Sequence, residues 1–102
     1  MTITQESLRN VASAMVIQAY QDLARLIRKG VIKDGKFTGI KIVESSYVWT
    51  ADRVNTLIDF FAPDGGCGDA LRLLGLSVSP AQIKARALVA AETGRYMEKI
   101  EL

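Results

Sequence analysis

Apolar residues recur at three- and four-residue spacing across residues 4–29, at Leu8, Val11, Ala12, Met15, Ala19, Leu23, Leu26 and Ile27. That is the period of an α-helix with one face turned inward. Thr2 or Thr4 supplies an N-cap, and Gln5 stands three residues after Thr2 as in a capping box. Gly30 stops the helix directly after Arg28 and Lys29. Val16, Ile17 and Tyr20 widen the apolar surface beyond one stripe. A helix this wide contacts more than one neighbour. With a neighbour in another subunit, a homodimer is the expected assembly.

The pattern then changes. In VIKDGKFTGIKIV, residues 31–43, Asp34-Gly35 is a turn dipeptide flanked by β-branched and aromatic residues. A short β-hairpin or an irregular loop fits this stretch equally well. A two-stranded hairpin is marginal alone, so it must pack on a helix. Residues 51–62 return to helical spacing, with Val54, Leu57, Ile58 and Phe61 inward and Thr50 as N-cap. Tyr47 and Trp49 precede that cap. Core packing is the favoured role for both rings, and a platform on which a base stacks is the other. A short third helix is expected over about 68–75. A fourth begins at Ser79-Pro80-Ala81-Gln82, which combines N-cap, first-turn proline and capping-box glutamine. Its inward stripe is Ile83, Ala87, Ala90 and Met97, with Gly94 ending or loosening it. The expected fold class is mainly α: one small four-helix domain, residues 1–102, with a short β-hairpin or loop after the first helix.

Composition adds limits on chemistry. The chain has no histidine and a single cysteine, Cys67. The usual general base and metal ligand are therefore missing, and an internal disulfide is impossible. No catalytic residue, metal site or cofactor is expected, and the chain is read as a non-enzyme. Gly65-Gly66-Cys67-Gly68 reads as a flexible connector, with a phosphate cradle as the sharper alternative. No apolar run approaches the ~20 residues that span a bilayer. MTITQESLRN lacks the basic-then-apolar plan of a signal peptide, so a cytoplasmic location and no membrane partner are expected.

Charge is unevenly placed. Between Arg25 and Lys41 lie six basic residues (Arg25, Arg28, Lys29, Lys33, Lys36, Lys41) and one acid, Asp34, in a chain of net charge +2. Such a segment attracts phosphate or an acidic protein surface. It is also what a basic helix end followed by a solvated loop looks like. A second candidate lies in LRLLGLSVSPAQIKARAL, residues 71–88, where a glycine corner joins two helices. Gln82, Lys84 and Arg86 would there read duplex DNA. The long turn and the alanine-rich second helix favour a bundle corner instead.

The segment ADRVNTLIDFFAPDGGCGDALRLLGLSVSPAQIKARAL, with AMVIQAYQDLARL before it, resembles a group of small phage and prophage proteins. The matching features are the first helix, the paired aromatics Phe60-Phe61 and the segment from Leu73 to Arg86. The likeness covers residues 11–30 and 51–88. It departs at the Gly65–Gly68 loop and at Ser77-Val78. It implies a phage-type accessory protein that regulates genes or inhibits a host system. The leading expectation is binding and modulation of a host protein or a nucleic-acid-handling defence complex through the basic segment. DNA-binding transcriptional control is the alternative, and small-ligand binding the third.

Overall fold

The computed structural model describes residues 4–100. Helix α1 runs Gln5–Arg28. Thr4 caps it, its hydroxyl accepting the Ser7 N–H at 3.0 Å; Thr2 lies outside the described residues. Gly30, at φ +78°, ends α1 in a Schellman turn: its own N–H reaches the Ile27 carbonyl and the Val31 N–H reaches that of Leu26.

Two hairpins follow. Strands β1 (Ile32–Lys33) and β2 (Lys36–Phe37) pair antiparallel around Asp34-Gly35. Both turn residues have positive φ, 53° and 74°, as a type I′ turn requires. Strands β3 (Val43–Glu44) and β4 (Tyr47–Val48) form the second hairpin. Helices α2 (Ala51–Phe60), α3 (Gly66–Leu73) and α4 (Pro80–Thr93) complete the chain. The mainly α, four-helix reading with a hairpin after the first helix stands, and the second hairpin is an addition to it. Its turn, Ser45-Ser46, adopts φ of 48° and 74° without glycine or asparagine, so the usual turn signal is missing from the sequence.

Helix α1 is the spine against which α3 and α4 pack. Its buried face is Ala12, Val16, Tyr20, Leu23, Ala24 and Leu26. The stripe expected from the sequence is displaced: Leu8, Val11 and Met15 are exposed. At about 100° per residue they sit roughly 75–135° from the centre of the buried face. Both registers are apolar, and the neighbours select the one carrying Val16 and Tyr20. The Tyr20 hydroxyl accepts the Met97 N–H at 3.1 Å, and Gln21 Nε2 donates to the Met97 carbonyl at 3.1 Å. These bonds tie the segment after α4 back onto α1. Met97 thus packs from beyond α4, which ends at Gly94 with φ +74°.

Residues 65–68 are not a flexible connector. Gly66, Cys67 and Gly68 form the first turn of α3, with Gly65 as its N-cap. A Cβ on Gly65 would collide with the Asp59 carbonyl and stand 2.6 Å from that of Phe60. Gly65 and Gly66 let the start of α3 lie on the end of α2, against a cost of about 1 kcal/mol for a glycine within a helix.

Candidate functional site

The last turns of α1 carry Arg25, Arg28 and Lys29, and all three are engaged within the chain. Glu44, on the first strand of the second hairpin, is the centre of the arrangement. Its carboxylate accepts from Lys29 Nζ at 2.7 Å, from Trp49 Nε1 at 2.8 Å and from Arg25 Nε at 3.4 Å. Arg25 also donates to Asp22 at 2.5 Å. The Lys29 hydrogen bond leads the causes that lower the Glu44 carboxyl to about 2, with Trp49 and Arg25 adding to it against partial burial. Arg28 Nη1 donates to the Ala91 carbonyl at 3.0 Å. It thus satisfies an otherwise open carbonyl at the negative end of α4. Half of the basic segment is structural in this sense: it fastens a hairpin and a helix end to α1.

The other half faces solvent. Lys33 and Lys36 are directly opposed across the first hairpin, a like-charge pair that disfavours itself unless an anion is near. Lys41 follows in the link between hairpins. Lys33, Lys36 and Lys41 have no ion-pair partner among the described residues.

Anchoring Glu44 has a consequence for the second hairpin. Side chains alternate along a strand. With Glu44 and its cross-strand neighbour Tyr47 on the α1 side, Val43 and Val48 point outward, 65% and 40% exposed. Ile40 is exposed beside Lys41. An apolar pair and a free lysine therefore share one projecting element. Trp49 is buried as expected, whereas Tyr47 is 45% exposed and does not join the core. It packs edge-to-face with Trp49 at 5.0 Å between centroids, and the Arg53 guanidinium covers its ring at 4.3 Å. A stacking platform for a base is thereby occupied by the chain's own arginine.

The expected DNA-reading residues do not converge. Gln82 and Arg86 lie about 40° apart around α4, and Lys84 is roughly 160° from both. Gln82 is also committed to the helix start, where its Oε1 accepts the Ser79 N–H at 2.8 Å. Residues 74–79 separate α3 from α4, longer than the three or four residues of a helix-turn-helix corner. Gly75 does hold the left-handed corner, at φ +71°.

Lys84 and Lys33 instead line one groove of about 660 Å³ bounded by α1, the first hairpin, the end of α2 and α4. Leu23, Ile32 and Phe61 form its buried floor, and Ile27, Ile58 and Leu88 its apolar sides. The sequence gives no sign of this groove, because four separate elements supply the lining.

Cys67 is fully buried in the core, and burial raises its thiol to about 11, a value at which almost no thiolate forms near neutrality. No group of three or more potential metal ligands occurs among the described residues. No helix among them is long and apolar enough to cross a membrane. No family model matches the chain, and no curated protein or solved structure shows significant similarity to it.

Proposed function

We propose that this chain is a non-enzymatic accessory protein that binds and modulates a partner protein through the second hairpin and the link before it. The observation that carries this reading is the outward pair Val43 and Val48, held in place by the Glu44 anchor and accompanied by exposed Ile40 and unpaired Lys41. An apolar centre beside a positive charge suits a partner surface that is itself apolar and acidic. The resemblance of residues 11–30 and 51–88 to small phage and prophage proteins implies gene regulation or inhibition of a host system, and the second fits a host protein or a defence complex containing one. The missing histidine and the inert thiol agree with a role without catalysis.

Duplex DNA reading by α4 is the competing account, and it lacks a shared face for Gln82, Lys84 and Arg86. A pull-down from nuclease-treated bacterial lysate tests the choice. Wild type is compared with a Val43→Ser/Val48→Ser/Lys41→Glu variant and a Gln82→Ala/Arg86→Ala variant. The proposal expects a captured protein that the first variant loses and the second keeps. Capture that nuclease abolishes, or that only the second variant loses, would overturn it. Steep weakening of duplex binding with salt would identify DNA as the partner.

A further inference from the structure

The groove that brings Lys33 and Lys84 together lies apart from Val43, Val48 and Lys41, and its features are those of a ligand site. At about 660 Å³ it is within the roughly 300–1,000 Å³ of sites for small molecules. Its floor is buried and apolar, while its rim is wet: Leu88, at the lip, is 52% exposed. The rim carries Lys33 and Lys84 against Asp34. Two lysines against one aspartate leave the mouth positive. An apolar floor below a positive mouth selects a molecule that is apolar along its length and anionic at one end.

We propose that this groove binds a small amphiphilic carboxylate, its alkyl chain on Leu23, Ile27, Ile58 and Phe61 and its carboxylate at Lys33 and Lys84. Each buried methylene strengthens binding by about fourfold, and the head group adds a charge-assisted contact that an alcohol of equal length lacks. The occupant is a small molecule rather than a protein segment, and the site stands whether or not the hairpin docks a partner.

Titration calorimetry with octanoate, decanoate and dodecanoate below their micelle concentrations, and with the matching alcohols, is the test. Affinity should climb with chain length, and each carboxylate should exceed its alcohol. Lys33→Gln with Lys84→Gln should remove the carboxylate's advantage but keep the dependence on length. Leu88→Asp should weaken both series. These side chains face solvent, so circular dichroism should show an unchanged fold. The proposal is overturned by equal affinity for acid and alcohol in the wild type, by no saturable binding of any amphiphile, or by binding that Leu88→Asp leaves intact. Amide shifts at Lys84 and Leu88 that depend on protein concentration alone would give the groove to a second copy. Shifts that appear only with the hairpin's partner would give it to a partner segment. Either result would also overturn the proposal. Partner capture by the hairpin is measured separately, so the two readings fail independently.

Discussion

Replacing Glu44 with Gln keeps the shape of the side chain and an acceptor for Trp49 Nε1 while removing the charge that Lys29 and Arg25 face. The drop of the carboxyl from 4.5 to about 2 corresponds to about 3 kcal/mol at about 1.4 kcal/mol per pH unit. Lys29 is half exposed and Arg25 a third exposed, so solvent screening reduces the expected loss to about 1–2 kcal/mol. For a chain of this size that lowers Tm by about 4–15 °C. The folded carboxyl is the stronger acid, so its contribution is complete above the unfolded value near 4.5. It disappears as pH falls toward about 2. Urea unfolding followed by the fluorescence of Trp49, the single tryptophan, should therefore show the full gap between wild type and Glu44→Gln at pH 7. The gap should be clearly smaller at pH 3. Equal stability at pH 7, or a gap that does not change with pH, would refute the claim that Glu44 anchors the hairpin by charge.

Gly75→Val should destabilise by about 1–2 kcal/mol in thermal melts, because φ is +71° and no atom stands within 4 Å of a new Cβ, so the cost is in the backbone alone. Thr38→Val should cost about 1 kcal/mol in urea unfolding and speed amide exchange in the first hairpin, since the hydroxyl donates to the Gly30 carbonyl at 2.7 Å; unchanged exchange would count against this tether. Cys67 should resist a thiol reagent in the native state and react in urea, and rapid native labelling would contradict its burial. The exposed edge Leu8, Val11 and Met15 is the surface on which the homodimer expected from the sequence would rest. Light scattering should give twice the 11.1 kDa chain mass at high micromolar concentration, and the monomer mass when all three become Lys.

Local signals in the sequence carried over into structure where one residue's backbone chemistry decides the outcome. Thr50 and Ser79 cap their helices, Asp34-Gly35 turns, and Gly30, Gly75 and Gly94 end helices, because each conformation depends on a few adjacent atoms. Signals that depend on distant neighbours were less legible. The apolar surface of α1 allows two registers, and only α3 and α4 choose between them. Gly65 to Gly68 resemble a loop by composition, yet close contact with α2 makes them a helix start. Ser45-Ser46 turns without glycine or asparagine, beside a Glu44 that Arg25 and Lys29 hold to α1. Of the candidate site, the charge excess was visible, but not its division. Nothing in the spacing of Arg25 and Lys29 reveals that a carboxylate at position 44 neutralises them.

That division follows from where the chain leaves α1. The Schellman turn at Gly30 reverses the backbone, and Thr38 bonds back to the carbonyls of Gly30 and Val31 at 2.7 and 3.0 Å. The first hairpin is therefore fixed at its root, and Ile32 and Lys33 become one wall of the groove. Ile40 lies over Gly30, where its Cδ1 would stand 3.8 Å from an added Cβ, so the link to the second hairpin crosses the same junction. Glu44 then reaches Lys29 at the C-cap of α1 and Arg25 one turn before it. Strands of two residues have little stability of their own, so the first hairpin depends on packing against α1 and α2 and the second on the contacts of Glu44 with the α1 end. A basic helix terminus is suited to this work: its lysine and arginine oppose the helix dipole and remain available to bind a carboxylate from the returning chain. The charges left over, Lys33, Lys36 and Lys41, are those on the far side of that junction. No acid among the described residues pairs with them, and it is there that the proposed partner and ligand would meet positive charge.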